Sequence, residues 1–123
     1  MGRVRQKGTH PEIEVRKLIY AMGFRYRLHV KALPGTPDLV FRKSKAIIFV
    51  HGCFWHLHQG CSKGRLPSSN TAFWTLKLSR NVARDAEQQR MLRREGWRIL
   101  VFWECQLSDK RRLAKRICSF LKR

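Results

Sequence analysis

Residues 37–61 read PDLVFRKSKAIIFVHGCFWHLHQGC, and the fold turns on this stretch. Leu39–Phe41 and Ala46–Val50 are short apolar runs on either side of the polar tetrapeptide Arg42-Lys43-Ser44-Lys45, the pattern of a β-hairpin. The second run, AIIFV, is apolar at consecutive positions, so both of its faces should be covered, as in a strand inside a sheet. It ends on a dense cluster: three histidines (His51, His56, His58) and two cysteines (Cys53, Cys61) within eleven residues. A buried strand that delivers ionisable and soft-ligand side chains to one sheet edge is a common way to build a catalytic or metal site.

Outward from this core, Thr9-His10-Pro11-Glu12 reads as a helix start, with Thr9 as N-cap, proline in the first turn and Glu12 completing a capping box. Ile13, Leu18, Ile19 and Met22 share a helical face, and Gly23 is placed to end it. Phe24, Tyr26, Leu28 and Val30 then alternate with Arg25, Arg27, His29 and Lys31, which predicts a strand with one polar face. Leu33-Pro34-Gly35-Thr36-Pro37 is a turn, and residues 51–70 show no periodicity, as expected of a functional or ligand-pinned loop. A long helix is expected over 71–95, closed by Gly96. Trp97–Trp103 (WRILVFW) reads as another buried strand, and Asp109–Leu121 as a basic helix with apolar Leu113, Ile117, Phe120 and Leu121. The order α-β-β-β-α-β-α predicts one α/β domain over 1–123, a mixed central β-sheet flanked by helices.

Twenty-seven Lys and Arg against eight Asp and Glu give a net charge of +19 and a sequence pI near 11.3. The basic residues run from Arg3 to Arg123 instead of forming a tail, so the whole domain should attract a polyanion, nucleic acid first. No apolar stretch approaches the ~20 residues of a membrane span, and MGRVRQKGTH lacks the apolar region of a signal peptide. The expected location is the cytoplasm, where thiols stay reduced. The four cysteines are therefore read as metal ligands or core residues.

Cys53-x4-His58-x2-Cys61 lets one loop wrap a tetrahedral ion, and Cys105, just past WRILVFW, is the natural fourth ligand. Three thiols and an imidazole with no carboxylate point to structural Zn²⁺; Cys118 is read as a core residue. His51 and His56 then remain beside the metal, and neutral imidazoles near a carboxylate are candidate general bases.

With these residues in view, the chain resembles the very short patch repair (Vsr) DNA mismatch endonucleases. The matching segments are Thr-x-Pro-Glu at 9–12, Leu-Pro-Gly-x-Pro-Asp at 33–38 and Val-His-Gly-Cys-Phe-Trp-His-x-His at 50–58. Phe73-Trp74, Lys77, Asn81, Arg84, Asp85, Gly-Trp-Arg at 96–98 and Trp-Glu-Cys at 103–105 follow in order. The resemblance implies a restriction-endonuclease-like core with His51 where related nucleases carry a second acid. It also implies Mg²⁺ bound by Asp38 with the Val50 carbonyl, His56 as the general base, His51 supporting the scissile phosphate or leaving group, and Glu12 assisting at the metal's water shell. Asp85 is expected mainly as a helix-surface ion pair, although it could orient a histidine.

Phe54 and Trp55 are expected on an exposed loop, and the resemblance gives them, with Trp74, the role of wedges between base steps. Unstacking is cheapest at a mismatch, where pairing is already poor. The implied reaction is a nick 5′ to the thymine of T:G mismatches left by deamination of 5-methylcytosine. The expected partners are duplex DNA containing that mismatch and mismatch-repair proteins, the enzyme acting as a monomer with no membrane association. The family's N-terminal extension looks short or absent here; either the start is truncated or this member grips DNA more weakly. Rival readings are a zinc-stabilised DNA-binding module or degenerate nuclease without mismatch-specific cleavage, and single-stranded RNA binding through the aromatics.

Overall fold

The computed structural model describes residues 10–61 and 64–122. The AIIFV run lies at the centre of a four-stranded sheet of order β1 (Arg27–Leu28), β2 (Leu39–Phe41), β3 (Ala46–His51), β4 (Arg98–Trp103). β1–β2 and β2–β3 pair antiparallel, whereas β3 and β4 run parallel, with Ala46 opposite Arg98 and His51 opposite Trp103. The hairpin turns through Lys45, whose φ of 53° is left-handed and whose N–H donates to the Arg42 carbonyl at 3.2 Å.

Three helices complete the chain: α1 (His10–Ala21), α2 (Thr71–Arg94) and α3 (Lys110–Leu121). Strand alternation assigns each helix to a face. Leu39, Phe41, Ala46, Ile48 and Val50 pack against Val15 and Ile19 of α1 and Leu113, Ile117 and Leu121 of α3. Val40, Ile47 and Phe49 point the other way, toward Leu92 of α2 and Trp97. Every residue of β3 is buried, so its unbroken apolar run follows from being covered on both sides. A parallel pair needs a crossover, and residues 52–97, with the irregular loop and α2, supply it.

The helix ends follow local chemistry. α2 stops where Gly96 takes φ 93° and donates to the Arg93 carbonyl at 3.0 Å, a conformation that costs glycine little. At the start of α3, Asp109 accepts from the Arg112 N–H at 3.1 Å, an N-cap bond. Thr9, expected to cap α1, lies outside the described residues.

β4, expected to be buried, is an edge strand in which Phe102 alone is fully buried, and the predicted strand over residues 24–31 differs further. Only Arg27 and Leu28 pair with β2, and both are exposed. His29 takes φ 47°, which breaks the extended backbone and rotates its side chain off the polar face toward the protein interior.

Candidate active site

The alternation that buries Ile47 and Phe49 on the α2 side also sends His51, two residues on, to that side at the end of β3. There it lines a cleft of about 240 Å³ with Asp38, His56, Arg84 and Asp85. Asp38, His51 and Glu12 are all buried. Chemistry-bearing side chains collect into three groups, in each of which the ligand atoms lie within 4.8 Å of one another: Glu12, His29 and Asp38; His51, His56 and Asp85; and Cys53, His58, Cys61 and Cys105.

In the first group, Asp38 precedes β2 and its Oδ2 accepts the Val50 N–H at 2.7 Å, fixing the carboxylate against β3. Glu12 comes from α1 on the opposite layer; its Oε2 lies 2.7 Å from His29 Nε2 and 3.8 Å from Arg16 Nη1. His29 Nε2 is also 4.0 Å from Asp38 Oδ1. The sequence pattern had put His29 on a solvated strand face. Its left-handed backbone, the reason it turns inward, left no mark in the alternation.

The second group joins the loop to α2. His56 Nδ1 is hydrogen-bonded to Asp85 Oδ2, so Asp85 orients a histidine instead of making a helix-surface ion pair. The His51 and His56 rings stack with centroids 3.8 Å apart and planes 4° from parallel, and the Trp103 ring stands edge-on to His51 at 5.1 Å. A carboxylate only accepts, so Nδ1 carries a hydrogen, and in the neutral ring the lone pair is then on Nε2. That is the tautomer a general base requires.

The third group is held by a tight loop. His56 N–H donates to the Gly52 carbonyl at 3.2 Å, His58 N–H to the Cys53 carbonyl at 3.0 Å, and Leu57 takes φ 46°. Gly64 packs so closely that a Cβ there would lie 2.4 Å from the His58 carbonyl oxygen; only glycine fits. His58 Nδ1 lies 3.6 Å from Cys53 Sγ and 3.4 Å from Cys105 Sγ. A tetrahedral ion with bonds of about 2.3 Å to sulfur and 2.05 Å to nitrogen requires an S···N edge of about 3.5 Å. The cluster could therefore hold zinc with little rearrangement. Burial, and then the neighbouring thiols, push the Cys53 thiol up to about 12. A cation would reverse that preference, since a coordinating thiol deprotonates.

The aromatics form a contiguous patch. Phe54 and Trp55 touch edge to face at 5.2 Å, and Trp74, from the first turn of α2, contacts them at 5.3 and 6.1 Å. Phe54 and Trp55, expected to be exposed, are half-buried because they pack on each other and on α2, while Phe73 stays 59 % exposed. Asn81 Nδ2 donates to the Trp55 carbonyl at 3.2 Å, and its Oδ1 accepts from Arg84 Nη2 at 2.7 Å. Glu104 Oε1 accepts the Cys53 N–H at 3.0 Å, a tie between the loop and the short turn that follows β4 that sequence spacing did not disclose.

Carboxylates and imidazoles that meet in one cleft could hold a cation and move a proton, and a net charge of +19 attracts phosphate, which is the chemistry of the class of enzymes that cleave nucleic acid. Comparison with known proteins narrows this class. Residues 1–63 match the family described as DNA mismatch endonuclease Vsr. The chain is 49% identical to type II nicking enzyme V.XorIIP of Xanthomonas oryzae pv. oryzae, over 98% of this chain and 88% of that one. It is 44% identical to type II nicking enzyme V.NmeAIP of Neisseria meningitidis, over 89% and 78%, and 36% identical to DNA mismatch endonuclease Vsr of Escherichia coli, over 92% and 72%. The chain belongs to the Vsr DNA mismatch endonuclease family. It is a DNA endonuclease of that family.

Proposed function

We propose that this endonuclease nicks one strand of duplex DNA 5′ to the thymine of a T:G mismatch, such as deamination of 5-methylcytosine leaves, as in very short patch repair. The observation that carries the reading is one cleft lined by both Asp38 and the His56–Asp85 pair, beside an aromatic patch carried partly on the same loop.

Asp38 and Glu12 offer hard oxygen donors, the chemistry Mg²⁺ prefers, with the Val50 backbone beside them. When bound, Mg²⁺ would neutralise charge developing on the phosphodiester and keep exchangeable waters at hand. Among the protein's own groups, His56 Nε2 is free to take a proton from the attacking water, and Asp85 stabilises the imidazolium that results. His51, stacked on His56, supports the scissile phosphate or the leaving oxygen. Zn²⁺ at Cys53, His58, Cys61 and Cys105 would hold His56 and the aromatics at fixed distances from β4. Phe54, Trp55 and Trp74 act as the wedge, entering where the base stack is weakest. The sheet is then a variant of the restriction-endonuclease core.

A nicking assay on matched T:A and mismatched T:G duplexes, with Mg²⁺ and with EDTA, tests the proposal. Cutting confined to one strand of T:G substrates and abolished by EDTA is the expected result. T:G duplexes bound but uncut in every flanking context would instead indicate a zinc-stabilised binding module.

A further inference from the structure

We infer that His29 is a positioning residue for the divalent-cation site, holding Glu12 and Asp38 in one arrangement without touching the cation. The inference rests on the reading of those two carboxylates as cation-binding groups.

Glu12 and Asp38 come from different layers of the fold, and each is almost wholly buried, at 1 % and 2 % exposure. Two buried carboxylates drawn together repel. His29 stands between them, with Nε2 2.7 Å from Glu12 Oε2 and 4.0 Å from Asp38 Oδ1. Arg16 Nη1 also faces this carboxylate, 3.8 Å from Glu12 Oε2. The backbone adds a second tie, since the His29 N–H donates to the Asp38 carbonyl at 3.2 Å. His29 also holds φ 47°, a left-handed conformation uncommon outside glycine. An extended His29 would continue the alternation of β1 and lose the approach to Glu12. Because the Glu12 carboxylate only accepts, His29 Nε2 carries the hydrogen and has no lone pair there for a metal. The ring therefore orients oxygen donors, as groups behind metal ligands commonly do.

The test uses the zinc-loaded full-length protein and Mn²⁺ as the probe, with free Mn²⁺ read by electron paramagnetic resonance, so that binding is measured without cutting. His29→Gln keeps an N–H at similar reach; His29→Leu removes it, and His29→Asn is too short to reach Glu12. Leu and Asn variants should weaken Mn²⁺ binding roughly tenfold or more, with Gln within about threefold of the parent. DNA affinity measured in EDTA should be the same for all. The Gln–Asn comparison decides if His29→Leu fails to fold. Unchanged Mn²⁺ affinity in the Leu or Asn variants would overturn the inference. So would a Gln variant as weak as Asn, because the imidazole itself would then be a ligand. Mn²⁺ binding that depends on His29 in a protein that never nicks T:G duplexes would refute the proposed activity and leave the role of His29 standing.

Discussion

Asp85 shows how much a single residue's partner matters. On the surface of a basic helix, a pair with a neighbouring arginine would contribute about 0–1 kcal/mol. Bonded to His56 Nδ1, the same carboxylate selects a tautomer. Asp85→Asn should therefore lower the single-turnover nicking rate about 10²–10⁴-fold, the range of general-base and tautomer losses, while T:G duplex affinity stays near that of the parent. A rate unaffected by the substitution would return Asp85 to the status of a surface charge. The sequence revealed this scale unevenly. The Cys/His cluster is legible because ligand spacing is local, whereas the role expected of Asp38 rests on the family resemblance. The His56–Asp85 and Glu12–His29 contacts join residues 29 and 17 positions apart, and nothing in local spacing marks them. Glu12 has two readings in the sequence, a capping-box residue by local pattern and a group at the metal's water shell by resemblance, and only the contact with His29 goes beyond both.

Among the elements, the hairpin, β4 and all three helices were readable, because apolar periodicity and the glycine at 96 are written into short windows. β1 was overread. Its alternation over 24–31 is real, but the left-handed His29 and the lack of a pairing strand beyond it leave two paired residues. The loop after β3 shows no periodicity and is marked in the sequence by its Cys/His spacing, and zinc at that cluster would tie it to the residues after β4. Zinc at such a site contributes an apparent ~10–16 kcal/mol to folding, far above any surface ion pair. Cys105→Ser should thus lower both zinc content, measured by elemental analysis, and the melting temperature, instead of merely slowing chemistry. The raised Cys53 thiol adds a sign. Without metal, that shift favours the folded state below the thiol's ordinary pKa, a contribution lost as pH climbs through about 12. Zinc must displace that proton, so loading should release protons into a weakly buffered titration and tighten as pH rises. A zinc-free preparation with unchanged melting would contradict this account.

For the whole molecule, charge was the plainest message of the sequence. With a net charge of +19, phosphate contacts should dominate affinity, and log K should fall by about 0.9 per phosphate contact as log salt rises. Fluorescence anisotropy on T:G and T:A duplexes between 50 and 200 mM salt, about the range over which such losses reach 10³–10⁵-fold, would measure that slope. Parallel slopes with a constant offset are expected, the offset being the share owed to the aromatic patch. A flat line would mean that the basic surface faces something other than DNA. No helix among the described residues is long and apolar enough to cross a membrane.

The parallel pairing of β3 with β4 carries one more consequence. His51 sits opposite Trp103, and Cys105 follows at once, yet His56 and the rest of the loop are made about fifty residues earlier in the chain. Domains emerge from the ribosome N-terminal end first, at about 5–20 residues per second. A nascent chain would present the histidines, the wedge and most of the basic charge seconds before the strand that aligns them. The unfinished polypeptide carries the charge that attracts nucleic acid but lacks Trp103, against which the stacked His51 and His56 are set. The sheet edge that faces the loop is thus completed only with the last of the four strands.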